Sequence, residues 1–309
     1  FGAEQVPEVH ADHHAIGFVP GTHDVVSAHD GGVSRLHEGG AEDLNQGLDI
    51  GQIYRFAFSE QNRNRWLSGW QDNGVNLLDE RAHARIIGAD GFHCMIDPQD
   101  PDILYAAEYF GKIHRSEDAG WSWSEWVSSS GEGVNERGDW DTPMSFSPSH
   151  PNRIFVAKNR LYWTDDGGTN WSHTDAISGS EMEVLALSGS DADVAIMARS
   201  TQAFRTTDLT SWNPILGLPG LPVTDVLINP EDAQHLWLAF GGYNPEHRVW
   251  ESDDGGANWS TVGEGLPALP VNAMARDTAS GDLYVGTDAG VYVLPTLTGL
   301  WTPYKEGLP

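Results

Sequence analysis

The stretch WESDDGGANWSTVGEGLP, residues 250–267, strings together a hydroxyl residue (Ser252), an aspartate two places on (Asp254), paired glycines ending at Gly256, and a tryptophan, Trp259. The same order returns in RSEDAGWSW (115–123), with Ser116, Asp118, Gly120 and Trp123. It returns again in WTDDGGTNW (163–171), with Thr164, Asp166, Gly168 and Trp171. RTTDLTSW (205–212) is a shortened copy that keeps Thr206, Asp208 and Trp212 and lacks the glycine. The hydroxyl positions 116, 164, 206 and 252 lie 48, 42 and 46 residues apart. A period in the forties built from short strands is the mark of a propeller blade.

The chemistry of the repeat is local. Short Asp, Ser and Thr side chains accept hydrogen bonds from nearby backbone N–H groups and hold a turn closed. Glycine supplies the positive φ that such a turn needs. Tryptophan adds a broad apolar plate with a single N–H donor.

A second landmark counts the blades. Seven polar turns, at 19–24, 59–64, 97–102, 147–152, 188–193, 229–234 and 276–282, each separate two apolar runs. The chain therefore reads as all-β: one seven-bladed propeller of four-stranded antiparallel blades. The blades are expected near 10–48, 49–88, 89–135, 136–179, 180–220, 221–267 and 268–309. Only four carry a readable copy of the repeat, and in the seventh Trp301 is placed to serve as the plate.

These segments resemble the Asp-box (BNR) repeats of sialidases and sortilin-type propellers, in which the box is a structural hairpin between the third and fourth strands. GWQDNGV (69–75), FGGYNPEHRVWESDDGGANW (240–259) and the linkers GLPGLPV and GEGLPALPV narrow the likeness. They are similar to the sortilin or VPS10-like "glycosyl hydrolase" propellers of secreted bacterial proteins, over essentially the whole chain. The resemblance implies a secreted or cell-surface, extracellular and bacterial protein. Such chains are usually longer, often with a second propeller or a C-terminal sorting domain.

Composition excludes some functions. The 309 residues carry 45 acidic against 17 basic side chains, a net charge of −28. Nucleic-acid binding needs Lys/Arg stripes to neutralise phosphate, and none is present. A polybasic membrane contact is excluded in the same way, and no apolar run is long enough to insert as a spanning helix. So few lysines among so many aspartates suit a chain kept soluble in high salt or among divalent cations. A single cysteine, Cys94, permits no intrachain disulfide. In GFHCMID it reads as a small buried residue rather than a nucleophile. The chain opens on Phe1 rather than Met, which reads as a processed form or a fragment.

Propeller sites gather where the innermost strands start and where second strands turn into third strands, opposite the box hairpins. Blade 1 brings Asp12, His13 and His14 there. Adjacent strand residues point to opposite faces, so a two-histidine metal site competes with one channel-facing and one packed histidine. Blade 2 brings Arg55 and, in its turn, Gln71 and Asp72 as ligand groups or turn caps. The pair Asn73–Gly74 is expected to form a two-residue hairpin. Blade 3 starts with Asp90 and His93, and blade 4 with Arg137, Asp139, Trp140 and Asp141. Trp140 is either a sugar-stacking plate or a core plate. Arg137-Gly138-Asp139 also spells an adhesion tripeptide, too short to carry weight. The blade 6 turn presents Tyr243, Asn244, Glu246 and His247.

Three functions follow. The first is a non-catalytic binding or scaffold module for a glycan or protein. The second is a glycoside hydrolase using a carboxylate pair, with Asp90 and Asp141 the catalytic candidates. The third is a subunit of a larger extracellular surface assembly. Against catalysis stand the missing arginine cluster and Tyr/Glu pair of sialidases, and the two-propeller cleft that related glucanases need. No strand-start carboxylate, moreover, sits in an apolar setting that would raise its pKa. No cofactor is required. Calcium is the ion that acidic loops would suit, although no ordered ligand spacing marks its site.

Overall fold

The structure is a computed structural model that describes residues 13–45, 51–79 and 82–304. It is all-β, with seven four-stranded antiparallel sheets, each built from four strands consecutive in sequence. The sheets span 13–43, 53–87, 94–127, 144–173, 184–214, 223–261 and 271–303, one per blade of a seven-bladed propeller. Each of the seven polar turns read from the sequence joins the first strand of a blade to its second.

By contacts the chain divides into two compact units. The first, Phe1–Ile96 with Ala106–Glu108, holds blades 1 and 2 and the first strand of blade 3, Cys94–Ile96. The second, Asp97–Tyr105 with Tyr109–Pro309, holds blades 4 to 7 and the outer strands of blade 3. In the second unit the middle strands are apolar on both faces, as in Ile154–Ala157 and Ala195–Arg199, because each is sandwiched between neighbouring sheets. Blades 5 and 6 share one core built around Ile196, Leu236, Leu238 and Phe240. Blades 6 and 7 share another around Trp237, Ala239, Val271 and Val285.

The repeated hairpins lie between the third and fourth strands of blades 3 to 6 and close by one scheme. In blade 6 the Ser252 hydroxyl donates to Asp254 Oδ1 at 2.8 Å and accepts the Gly256 N–H at 2.9 Å. Asp254 Oδ1 then accepts the Asn258 N–H at 2.8 Å. Blades 3 and 4 repeat this through Ser116 with Asp118 and Thr164 with Asp166. In blade 5, Thr206 and Asp208 keep the clasp, and Leu209 takes the left-handed conformation at φ 47° at the position held by Ala119 at φ 61° in blade 3 and by Gly167 and Gly255 in blades 4 and 6. The closing tryptophan directly precedes the fourth strand in blades 3 to 7, Trp301 included. Four of the five donate through the indole N–H: Trp123 to Gly120 O, Trp259 to Gly256 O, Trp212 back to Thr174 Oγ1 of the preceding blade, and Trp301 to Val262 O.

These hydrogen bonds draw the Asp254 carboxyl down to about 2 from its ordinary 3.8, led by the Asn258 side chain and backbone. The clasp is therefore intact above about pH 4 and is lost as the pH falls through about 2. Replacing the buried Ser252 by alanine strips the Gly256 and Asp254 N–H groups of their acceptor. The expected cost is about 1–3 kcal/mol in urea unfolding. Asp254→Asn is expected to weaken the pH dependence of stability between pH 4 and 2, measured on the same curves.

Candidate functional site

In the first unit the polar candidates collect where second strands turn into third strands. His14, in the first strand of blade 1, turns its Nε2 to the carboxylate of Asp30 in the next turn of that blade. His13 goes elsewhere, with Nδ1 at 2.6 Å from Ser27 Oγ and its ring edge-on to His29. The two histidines thus diverge. Asp12 lies outside the described residues.

A cavity of about 230 Å³ opens beside Asp30, lined by Gly31, Gln52, Gln71, Asp72 and Asn73. Its floor corrects one sequence expectation: the blade 2 turn is not a two-residue Asn73–Gly74 hairpin. Trp70 pairs with Gly74 across three loop residues, Gln71, Asp72 and Asn73, with Asp72 at φ 59°. Gly74 begins the next strand and serves close approach, since a Cβ there would sit 2.0 Å from Ile87 O. Backbone pairing of Gly74 with Asp90 uses that closeness. Asp90 Oδ1 accepts the Asp72 N–H at 2.7 Å, which commits this catalytic candidate to a turn-capping bond. Gln71 Oε1 accepts from the Tyr54 hydroxyl at 3.1 Å, and Arg55 Nε donates to His93 Nε2 at 3.3 Å. Asp90 thus caps the turn formed by Gln71, Asp72 and Asn73, and Arg55 reaches His93.

In the second unit a different chemistry surrounds the start of blade 4. The turn Tyr109–Gly111 of blade 3 holds Phe110 at φ 63°, in the left-handed region. Its backbone is clamped by two bonds, Phe110 N–H to Trp140 O at 3.3 Å and Gly138 N–H to Phe110 O at 3.0 Å. Trp140 stacks on Tyr109 with ring centroids 5.5 Å apart and planes within 12°, and meets Phe110 edge-on at 5.0 Å. The Arg137 guanidinium lies over the Phe110 ring, 3.3 Å from its centre. Trp140 remains 43 % exposed, which decides between plate and core: it is a surface plate.

Asp139 and Asp141 flank this plate, the Asp141 N–H donating to Asp139 Oδ2 at 3.2 Å. Burial raises the Asp139 carboxyl above its ordinary value, aided by the charges of Asp141 and Glu181 and opposed by two backbone N–H bonds. This corrects the expectation that no strand-start carboxylate is raised. Beneath lies Lys158, wholly buried, its pKa lowered to about 8 by desolvation against the opposing charge of Glu136. Beside it the Tyr162 hydroxyl donates to Glu136 Oε1 at 3.1 Å, and burial, with that carboxylate, pushes it up to about 12.

Tyr243 is 69 % exposed in the long blade 6 turn, and Asn244 Oδ1 caps that turn by accepting the Glu246 N–H at 2.8 Å. The sequence reading passed over another trio: His235, Glu251 and Asp253 place their ligand-type atoms within 4.8 Å of one another. Asn229 Oδ1 accepts the Glu231 N–H, so its Nδ2 faces His235 Nδ1 at 3.3 Å. That leaves the imidazole proton on Nε2, donated to Glu251 Oε1 at 2.7 Å. The trio is a hydrogen-bonded cluster rather than an open ligand set. The other residues passed over, Tyr109, Phe110 and Lys158, had one available signal: paired aromatics before a glycine, and a lysine closing an apolar strand.

No protein-family model matches the chain, and no curated protein matches it. Solved structures do. A GH74 xyloglucanase from Xanthomonas campestris superposes with a TM-score of 0.62 at 15 % identity, over 95 % of this chain and 55 % of that one. An ancestral GH74 enzyme gives 0.61 at 14 % identity, over 94 % and 46 %. The chain thus spans about half the length of these enzymes. YCF48 bound to D1 peptide gives 0.59 at 16 % identity, over 82 % and 80 %, and YCF48 from Cyanidioschyzon merolae gives 0.55 at 17 %, over 94 % and 97 %. At such identities the likeness is one of fold.

The two buried groups predict an alkaline stability profile. Between about 8 and 10.5 the unfolded chain holds a proton that folded Lys158 has released, so stability rises with pH across that window. The gain is on the order of 3 kcal/mol at most. Tyr162 acts oppositely, its contribution being lost as the pH climbs from 10 through about 12. Urea midpoints at pH 8, 10 and 11.5 are expected to peak near 10, and Lys158→Met to flatten the rising limb.

Proposed function

We propose that the chain is an extracellular Asp-box propeller of the sortilin-like type, secreted or held at a cell surface, that binds carbohydrate without cleaving it. The observation that carries the reading is the plate at the start of blade 4: Trp140, braced by Tyr109 and Phe110 and flanked by Arg137, Asp139 and Asp141. An exposed indole held flat by a second ring offers the apolar surface on which the C–H face of a pyranose packs. Carboxylates at its rim accept pairs of sugar hydroxyls, and a guanidinium donates to ring and hydroxyl oxygens. With a net charge of −28, neutral saccharides are favoured over polyanionic ones. The xyloglucanase among the similar folds is in keeping with a glycan ligand, and the peptide-bound YCF48 with a protein one.

A second reading rests on Asp139. A carboxyl raised by burial beside a second carboxylate is the pairing that glycoside hydrolysis uses, with Asp139 as the acid and Asp141 as its partner. Binding is preferred because Asp139 Oδ2 already accepts the Asp141 N–H at 3.2 Å, which commits part of the carboxyl to the local turn. A scaffold role in a surface assembly would use the same face with a protein ligand.

Affinity electrophoresis through gels cast with neutral β-glucans and with polyuronates separates these readings. Retardation in the neutral gels is expected, without clearing of the polysaccharide, and Trp140→Ala is expected to weaken it at least about tenfold. A cleared track lost in Asp139→Asn would replace binding by hydrolysis. Free migration in every gel would overturn the carbohydrate reading and leave the protein partner.

A further inference from the structure

Lys158 directly follows the second strand of blade 4, Ile154–Ala157, at the start of a turn where polar residues normally face water. Its side chain has no exposed surface. Nζ donates to the carbonyl of Glu136 and to that of Ser128 at 3.4 Å. The groups facing it are few: the Glu136 carboxylate, Tyr162 through its bond to that carboxylate, and the Thr142 hydroxyl. Gly111 completes the enclosure, since a Cβ there would come within 2.9 Å of both Lys158 Cε and Thr142 Oγ1.

Two irregular segments therefore meet at this side chain, one packed against it through Gly111 and the other bonded to its ammonium group. One is the Tyr109–Gly111 turn, and the other is the connection 128–143 that leads into blade 4. These same segments carry the plate, Tyr109 and Phe110 on the first, Arg137 and Trp140 on the second. Neither has a β-ladder to hold it; the connection contains only the short 3-10 turn Gly133–Asn135. Blade 5 repeats the device. Arg199, ending the second strand Ala195–Arg199, is buried and donates to Ser178 O at 2.6 Å and to Ser180 O, on the connection entering that blade.

A buried cation contributes little to stability, because desolvation offsets what its partners return, and an apolar residue of similar volume often serves the fold as well. What methionine cannot supply is a donor reaching two backbone carbonyls at once. We propose that Lys158 is a positioning residue, whose buried amine gathers the 128–143 connection at Ser128 O and Glu136 O against the Tyr109–Gly111 turn, to which Gly138 and Trp140 of that connection are bonded, and so holds Arg137 and Trp140 in their binding arrangement. The role in binding rests on the carbohydrate reading above; the role in ordering the two segments does not. Burial disfavours the charged form, and a neutral amine keeps two N–H donors. The tied arrangement is therefore tightened, not loosened, as the pH rises through about 8.

Hydrogen–deuterium exchange on the full chain tests this. In Lys158→Met the melting temperature is expected to hold or rise, while protection of 109–111 and 128–143 falls at least about tenfold and that of Ala195–Arg199 is unchanged. Lys158→Arg, the residue blade 5 uses, is expected to restore part of that protection. Unchanged protection in Lys158→Met, or an equal loss in every blade, would overturn the proposal. The wild-type protein gives an arm that needs no variant. Corrected for intrinsic rates, protection of both segments should rise between pH 7 and 9, and a flat profile would sink the idea. Should wild-type protein migrate freely in every polysaccharide gel, the carbohydrate reading falls and the exchange contrast still decides the role of Lys158.

Discussion

The fourth strands of blades 4 to 7 are two residues long: Ser172–His173, Asn213–Pro214, Ser260–Thr261 and Thr302–Pro303. A ladder that short cannot secure the outer edge of a sheet, yet a long bare edge would invite pairing with other chains. The hydroxyl–aspartate clasp resolves the conflict. In blades 4 to 6 it closes the hairpin with side-chain acceptors where backbone partners run out, and Trp212, Trp259 and Trp301 each add an N–H bond of their own. Proline in two of the four strands removes a further edge donor. The regularity of the blades in the second unit follows from this substitution of side-chain for ladder bonding.

That is also why the fold was legible in the sequence. The clasp uses few residue types at fixed offsets, so Ser252, Asp254, Gly256 and Trp259 announce the hairpin by themselves, and Trp301 marks it even where the rest has gone. The shortened blade 5 copy shows the limit: Leu209 occupies a left-handed position that no sequence rule would assign to leucine. The blade 2 turn misled for a related reason. Asn73–Gly74 has the composition of a tight hairpin, but Gly74 is required by the close approach of Ile87 O, at the end of that blade's fourth strand, a contact that local sequence does not record.

The site was legible only in part. Positions at strand starts and turns follow from topology, which is why Arg137, Trp140 and Asp141 could be named. Burial does not follow. Asp139 sits in a string of polar neighbours, Arg137-Gly138-Asp139-Trp140-Asp141, and its raised carboxyl comes from packing that only the folded chain creates. Lys158 likewise looks like a solvated turn residue until the connection folds over it. Tyr109 and Phe110 belong to the blade before, so their meeting with Trp140 is a contact between blades that no single repeat encodes.

The clasps also fix where charge resides. Asp118, Asp166, Asp208 and Asp254 are all held below the ordinary carboxylate range by the amides and hydroxyls they accept. Asp277 and Asp282, in the blade 7 turn between first and second strands, are held down by the same kind of bonds. Asp139, raised by burial, takes up a proton on acidification before any of these does. The clasps of the second unit keep their charge as the carboxyl beside Trp140 loses its own. Acidification thus eases repulsion first beside the plate, while the hairpin clasps remain anionic.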